Sequence, residues 1–315
     1  MKEIVITTKF SSLTLTRYIG MYFSIAVLVV SLSGLFSKGL NLGIDFTGGF
    51  ITEFSTSESI DQSDMQSILE NTIEESFILS SGDDGTNWIV RQPDSSDGNT
   101  KQAWIDEMKE APFFKANTIQ IEALDSDYIG TQIGKELIDQ GGLAMLTTLI
   151  IIMLYLSARF EWRFALGAIL ALFHDVIAVM GLFAWTQLEF NLTVLASLLA
   201  ILGYSLNDSI IVADRIRELM RQNKDSTLRN IVNTAIGSTL TRTLITSGTT
   251  LATIVSLWWL AGAPLEGFSV ALFAGILVGT YSSICISATF PELVGLDIDH
   301  YKVSLETEND LSVNP

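Results

Sequence analysis

The sequence is poor in cysteine, with only Cys285 among its 315 residues. No internal disulfide can form, so an exported domain of this chain has to be stabilised by packing alone. We interpret Cys285, which lies in an apolar run, as a small buried residue. The sequence also lacks a P-loop, a cluster of metal-ligating residues and a nucleophile triad. We therefore expect no cofactor, no metal and no ATP hydrolysis within this chain, and we do not expect an enzyme.

Charged residues are also scarce, at 17% of the chain against 48% hydrophobic residues. This composition is too apolar for an ordinary soluble domain. About 20 apolar residues cross a bilayer core, and the sequence has six such runs, the second of them short: 18–37, 141–157, 164–186, 191–213, 243–261 and 267–290. A signal peptide is the alternative for the first run, but that run exceeds the roughly 7 to 15 residues of a signal-peptide core and no clear cleavage site follows. We predict a polytopic α-helical membrane protein with six transmembrane helices, the first an uncleaved anchor.

The distribution of lysine and arginine predicts the orientation of the chain. Basic residues precede the first span and occupy the loops after the second and fourth spans, whereas the loops near 186–190 and 261–267 hold none. Both ends are therefore expected in the cytoplasm. The predicted divisions are a cytoplasmic N-terminus (1–17), the first helix (18–37), a periplasmic domain (38–140), a five-helix transmembrane block (141–290) and an acidic cytoplasmic tail (291–315).

The segment 38–140 is long enough to fold on its own. Its pattern predicts a strand, a helix, two strands, a helix and a strand, in the order 49–57, 59–75, 76–81, 86–92, 99–111 and 117–124. An Asp or Ser is expected to cap the first helix. This order is typical of the ferredoxin-like split βαβ fold, so we predict a small α+β extracytoplasmic domain.

Most of the net charge of −17 lies in that same segment, which has 20 Asp and Glu residues against 6 Lys and Arg residues. We interpret it as an acidic solvent-facing surface that favours solubility, with attraction of basic unfolded segments as the alternative. Nucleic acid is disfavoured as a partner.

Two features of the later spans predict helix packing. The last span has a small residue at every fourth position, at Gly275, Gly279, Ser283 and Ser287, which lets a neighbouring helix approach closely. The fifth span is rich in hydroxyl groups, so part of it is expected to face other helices or water, and hydrogen bonding between helices is the simplest role for them.

Charged or polar groups interrupt the predicted spans at His174–Asp175, Asn207–Asp208 and Arg242. A carboxylate at the centre of a span costs about 2.5 to 3.5 kcal/mol on insertion scales, so it normally faces the interior of the helix bundle and marks an ion route. Asp208 lies about six residues, or ~9 Å, inward from the cytoplasmic side of the fourth span, and Arg242 lies equally deep in the next, antiparallel helix if that helix begins near Ile236, before its apolar run. The two side chains can therefore meet.

These positions allow two interpretations. An ion-binding Asp208 would pair with the Arg242 guanidinium when deprotonated and release it when protonated. A structural Asp208 would form a fixed salt bridge that sets the register of two helices. Asp175 allows the same alternatives, because His174 or a hydroxyl could satisfy its carboxylate statically. The ion could be H⁺ or Na⁺.

Five blocks of the sequence resemble the signature blocks of the SecF proteins, the protein-export subunits of the SecD/SecF family. In chain order they are LNLGIDFTGG (40–49), FHDVIAV (173–179), GYSLNDSIIVADRIRE (203–218), TLTRTLITSGTTL (239–251) and LEGFSVALFAGILVGTYSSICIS (265–287). They cover most of the membrane part of the chain. The larger outer region of SecD proteins would not fit within 38–140.

The resemblance implies one RND-type half in the bacterial inner membrane, with SecD supplying the other half. It implies that the complex uses the proton gradient to assist late steps of preprotein export beside the SecYEG channel, after SecA has acted, with YajC and YidC as further candidate partners. The functional carboxylate and arginine of the family match Asp208 and Arg242. A second acidic residue would come from SecD.

The block that follows the first span contains three glycines, Gly43, Gly48 and Gly49, which fit tight turns between the first helix and the first strand. We interpret it as a joint that transmits motion between the membrane and the outer domain, with a plain helix-exit turn as the alternative. Asp45 is expected to be a turn or cap carboxylate.

Two other functions have to be weighed against transport. A structural subunit would hold SecD in place with an inert ion pair. An intramembrane aspartyl protease would use Asp175 and Asp208 as carboxylates that share a proton, but their depths differ and the glycine-flanked aspartate context is missing.

Overall fold

A computed structural model of the chain describes residues 11–73, 77–81, 84–93, 103–222, 226–261 and 265–296. Its elements are, in chain order, α1 (Ser11–Ser37), α2 (Ile44–Thr47), β1 (Gly49–Thr56), α3 (Gln62–Thr72), β2 (Ile78–Ser81), β3 (Asn87–Pro93), α4 (Ala103–Glu110), α5 (Pro112–Asn117), β4 (Ile121–Ile129), α6 (Thr131–Arg159), α7 (Trp162–Thr186), α8 (Leu192–Gln222), α9 (Leu228–Ala261), α10 (Glu266–Ser282), a π-helical segment (Ser283–Ser287) and α11 (Phe290–Leu293). Parts of five predicted segments lie outside the described residues: 74–75 of the helix 59–75, residue 76 of the strand 76–81, 99–102 of the helix 99–111, 1–10 of the N-terminus and 297–315 of the tail.

Six of these helices are long and apolar enough to cross a membrane, which confirms the predicted number. The first, α1, packs along α7, where a Cβ added at Gly181 would lie 2.2 Å from the Ser31 Cβ. The two backbones therefore approach closely only because position 181 lacks a side chain. The uncleaved anchor stays a prediction.

The outer domain, which comprises β1–β4 and α3–α5, has the predicted ferredoxin-like fold. Its four strands form an antiparallel sheet in the order β2-β3-β1-β4. Helix α3 begins where the Asp61 carboxylate accepts a hydrogen bond from the Ser63 amide, so the predicted N-cap is confirmed. The core between sheet and helices consists mainly of large apolar side chains: Phe54, Met65, Leu69, Trp88, Val90, Trp104, Met108 and Phe114.

The last strand differs from its prediction. The predicted strand begins at residue 117, but residues 112–117 form α5, which starts with Pro112 in its first turn and ends at Thr118 in a left-handed conformation (φ 57°). Strand β4 runs on to Ile129 because it pairs with β1 as far as Gly49. Pairing with a partner strand extends β4 through a polar stretch that has no alternating pattern.

The second membrane helix also begins earlier than predicted. Helix α6 starts at Thr131 rather than near residue 141, so the outer domain ends at about residue 130. Its first turns contain the charged residues Lys135, Glu136 and Asp139, so their mean hydropathy is too low to predict a membrane span there. These turns pack on α2, where a Cβ at Gly134 would lie 2.5 Å from the Phe46 carbonyl oxygen.

The centre of the membrane block is formed by α7, α8 and α10. The predicted small-residue stripe is a packing surface, as expected. A Cβ at Gly275 would lie 2.3 Å from the Ile201 Cδ1, and one at Gly279 would lie 3.1 Å from the Ser205 Cβ. The stripe therefore seats α10 directly against α8, while α6 and α9 lie at the periphery with many exposed apolar side chains.

Candidate functional site

Asp175 lies near the centre of α7 and is 0% exposed. Its Oδ2 accepts hydrogen bonds from Ser205 Oγ on α8 (2.5 Å) and Ser282 Oγ on α10 (2.9 Å), and its Oδ1 lies 3.0 Å from Nδ1 of His174. The carboxylate thus joins the three central helices. His174 and two hydroxyl groups, the kinds of partner expected for a static Asp175, are in place, and the role of Asp175 in ion coupling remains a prediction.

Asp208 has a different environment, although it is on the same helix as Ser205 and only three residues further along. It is 1% exposed, and its Oδ2 has no hydrogen-bond partner. The charge of Arg242 on α9 acts on this carboxylate electrostatically. The two side chains do not form an ion pair in this structure, and Arg242 is exposed. A buried carboxylate without direct partners is unfavourable in a fixed state.

Asp175 and Asp208 do not form a carboxylate pair. The oxygens of Asp175 are occupied by serine hydroxyls and His174, whereas Asp208 takes no hydrogen bond from them. The geometry of two acids that share one proton, which a protease of the aspartyl type requires, is therefore not present in this structure.

Beside Asp208, the surface of the helix block carries polar groups at membrane depth. Gly203 and Asn207 on α8 and Arg242, Thr246 and Thr249 on α9 are at least partly exposed. A guanidinium that faces hydrocarbon is costly, so charged groups within membrane spans normally face protein or water. This surface is suited to contact another protein rather than lipid.

The hydroxyl groups of α9 form fewer contacts between helices than predicted. Ser247 bonds to Tyr204 on α8 (2.9 Å) and to Thr280 on α10 (2.7 Å). Most of the others donate to carbonyls of their own helix three or four residues back: Thr246, Thr249, Thr250, Thr253 and Ser256. Such back-bonding satisfies a hydroxyl within a single helix without help from a neighbour.

The block with the three glycines forms a compact turn at the outer end of the bundle. Gly48 and Gly49 have φ of 74° and 146°, which residues with a Cβ rarely adopt. Asp45 was expected to be a turn or cap carboxylate, and it is a cap. The helix that it caps is distant in sequence, because its Oδ2 accepts a hydrogen bond from the Leu192 amide at the start of α8 (2.9 Å). The turn is therefore attached to the helix that carries Asp208.

Comparison with known proteins agrees with this arrangement. The sequence profile for the C-terminal part of the protein export membrane protein SecD/SecF matches residues 109–295, and the profile of the SecD/SecF GG motif matches residues 33–57. Protein translocase subunit SecF of Pseudomonas aeruginosa is 40% identical over 271 residues, covering 86% of this chain and 87% of that protein. The SecF of Vibrio alginolyticus is 38% identical, with 90% and 89% covered.

The chain belongs to the SecF branch of the SecD/SecF family. The crystal structure of SecDF from Thermus thermophilus, which is described as a translocon-associated membrane protein, matches with a TM-score of 0.76 at 33% identity. The match covers 92% of this chain and 39% of that one, so this SecF-family chain spans about two fifths of the SecDF chain. The chain is an integral protein of the inner membrane. The names of its relatives describe a role in transport and not in catalysis.

Sequence reasoning missed several residues of this SecF-family structure. In the sequence, Ser282 is marked only by its place next to Ser283 of the small-residue stripe, and Ser205 only by its place in the block 203–218. Arg17 is one of the basic residues that precede the first predicted span, where it bears on orientation alone, yet it is fully buried and donates hydrogen bonds to Glu292 (3.0 Å) in α11 and to Thr289 (3.2 Å) just before it. Its signal was its position within the first helix, one residue before the predicted span.

Proposed function

We propose that this SecF-family chain couples the proton-motive force to late steps of protein translocation across the bacterial inner membrane. In this proposal SecD forms the other half of the complex, SecYEG provides the channel, and SecA acts before it, with YajC and YidC as further candidate partners. The termini lie in the cytoplasm and the outer domain in the periplasm, in line with the positions of the lysine and arginine residues.

One observation carries the proposal: Asp208 is buried in the membrane block with an oxygen that lacks a partner, beside an exposed polar surface that includes Asn207 and Arg242. A buried carboxylate without fixed partners can gain and lose a cation at lower cost than one held in a salt bridge. The charge of Arg242 attracts this carboxylate without an ion-pair contact. Binding and release of the ion therefore change the electrostatic attraction between α8 and α9.

The exposed polar surface of α8 and α9 favours SecD as the element that completes the site and supplies a second acidic group. One charge that crosses the membrane field gains about 2.3 kcal/mol per 100 mV. A few ions per cycle are then sufficient to bias an outer domain with two stable positions. The transported ion is H⁺ or Na⁺.

The Asp208→Asn variant tests the proposal. In inverted membrane vesicles that contain SecD, SecYEG and SecA, it should lose the gradient-dependent part of preprotein export while it still binds SecD. Asp214→Asn is a matched control, because Asp214 is an exposed carboxylate six residues further along α8. Normal export by Asp208→Asn would leave only the scaffold function, in which the subunit holds SecD with an inert ion pair.

The coupling ion is identified by the ion gradient that stimulates preprotein export in the same vesicles. Export that responds to a proton gradient and not to a sodium gradient would assign H⁺, and the reverse result would assign Na⁺. A response to neither gradient would contradict the coupling itself.

A further inference from the structure

Glu189 lies where the outer domain meets the membrane block. It belongs to the loop of residues 187–191 that joins α7 to α8, and its Oε2 lies 3.5 Å from Nη1 of Arg91 on strand β3. The two side chains are only 18% and 16% exposed. Because little water reaches the pair, its attraction is screened less than that of a surface ion pair.

The same loop is held by the backbone of the GG-motif block. The Gly43 amide donates to the Phe190 carbonyl (2.8 Å), and the Phe190 amide donates to the Asn41 carbonyl (2.7 Å). The Phe190 ring also stacks on Phe46 of α2, with centroids 6.0 Å apart. The loop, α2 and the residues just before α2 therefore form one packed unit, and Arg91 of the sheet reaches it through Glu189.

Gly43 makes room for the glutamate. Its φ of −70° is ordinary for any residue, so backbone strain does not explain the glycine. A Cβ at this position would lie 2.5 Å from Oε1 of Glu189. The glutamate side chain thus passes over Gly43 on its way to Arg91, and a larger residue would displace it.

The charges at this point are unequal. Asp45 and Glu189 supply two carboxylates and Arg91 supplies one guanidinium. Burial raises the pKa of Glu189 above its usual value and the nearby Asp45 charge adds to this, while Arg91 opposes both. Without Arg91, two acids would face each other in a half-buried space. The contact therefore depends on the arginine of the outer domain.

Asp45 connects this cluster to the ion site. It caps the N-terminus of α8, and α8 continues without a break to Asp208, sixteen residues or ~24 Å further along. A helix transmits a displacement of its end along its axis, whereas a flexible loop would absorb it.

We propose that the Arg91–Glu189 ion pair is the positioning contact that holds the outer domain, relative to α8, in the one of its two positions that this structure shows. Both are positioning residues, since they act on the ion site through Asp45 and the helix. The effect expected on export rests on the proposed function. The effect expected on the orientation of the outer domain rests on the geometry of the ion pair alone.

Charge reversal tests the pair in the full chain assembled with SecD. Arg91→Glu and Glu189→Arg should each lower gradient-dependent export by about fivefold or more, as expected of a coupling contact, and the double reversal should restore most of it. Lys115→Glu is the control, because it breaks an exposed ion pair with Glu110 in the same domain and should leave export unchanged. Normal export in both single variants, or a double variant no better than the singles, would overturn the inference.

A distance measurement supplies a readout that does not depend on transport. The one native cysteine is buried, so cysteines introduced at the exposed positions Ser67 on α3 and Thr186 at the end of α7 can be spin-labelled selectively in a complex with cysteine-free SecD. The distance distribution should be narrow in the parent, broader or shifted in each single reversal, and narrow again in the double reversal. Identical distributions in all four proteins would contradict the positioning role.

The two proposals fail in different ways. If Asp208→Asn exports normally, the proposed function is wrong whatever Arg91 does. If Asp208→Asn loses export while both single reversals behave as the parent, only the positioning role is wrong. If a reversal variant does not accumulate in the membrane, Arg91→Gln and Glu189→Gln replace it. These neutral variants should accumulate normally and show the same loss of export, and normal export in them counts against the pair.

Discussion

The hydrogen bonds from Ser205 and Ser282 to Asp175 predict a measurable loss of stability when they are removed. Ser205→Ala and Ser282→Ala each delete one donor to the same carboxylate oxygen and leave the packing of the helices almost unchanged. Because all three side chains are 0% exposed, no water can replace the lost hydroxyl. Each variant should therefore unfold more easily than the parent.

The expected magnitude comes from two competing estimates. Hydrogen bonds to charged groups contribute about 1.5 to 3 kcal/mol in soluble proteins, whereas hydrogen bonds between membrane helices average ~0.6 and reach ~1.7 kcal/mol. Complete burial favours the upper end of the membrane range, so we expect a loss of about 1.5 kcal/mol for each serine. The double variant should lose more than the sum, since each single variant still leaves one donor on Oδ2.

The free energy of unfolding of the purified protein in mixed micelles, followed during titration with a denaturing detergent, measures these losses. Ser256→Ala is the control, because the exposed Ser256 hydroxyl donates only to the Ala252 carbonyl of its own helix, and it should change stability by less than about 0.5 kcal/mol. A double variant as stable as this control would refute the conclusion that Asp175 holds the three central helices together.

Three further predictions concern other parts of the chain. Gly275→Val should destabilise the protein by about 1 to 3 kcal/mol through overpacking, whereas Gly248→Val, which meets open space, should not; the same detergent titration compares them. Arg17→Met should cost up to about 3 kcal/mol, the lower end for breaking a buried ion pair, because Glu292 loses Arg17 but keeps its second ion pair with Arg229; retention of the parent's thermal stability would refute this. The raised pKa of Glu189 means that the folded protein holds this proton more tightly than the unfolded chain does. Stability should therefore fall as pH rises above the ordinary glutamate value of 4.5, and Glu189→Gln should flatten this part of the stability profile; an unchanged profile would contradict the assigned environment.

The order of elements could be predicted from the sequence because it depends on local patterns. Six apolar runs gave six helices, and the alternation of helix and strand patterns in the outer domain gave its four-stranded fold. The boundaries were less predictable where tertiary contacts decide them. The first turns of α6, from Thr131, are polar in sequence, yet they are helical because they pack on α2. Strand β4 reaches Ile129 because it pairs with β1.

The candidate site was predictable only where a charge interrupts an apolar run. Asp175, Asp208 and Arg242 are conspicuous for that reason, but their partners are not. Ser205 resembles any other small residue of a membrane helix until α7 is placed beside it. Glu189 belongs to a loop of ordinary composition, and its contact with Arg91 joins residues almost a hundred positions apart. Such contacts depend on topology, which a single sequence does not contain.

The π-helical segment Ser283–Ser287 divides the last membrane helix into two parts with different neighbours. Before it, Gly275 and Gly279 face α8; at its end, the Ser287 carbonyl lies 2.8 Å from where a Cβ of Gly167 on α7 would be, and Glu292 beyond it meets Arg17. A π turn holds one residue more than an α turn. Deletion of a single residue within this segment would let it close as an ordinary α turn and leave the helix beyond it in nearly the same orientation. Deletion of a residue from the regular part of α10 would instead rotate everything downstream by about 100°, and Arg17 and Glu292 of the first and last helices would then point past each other.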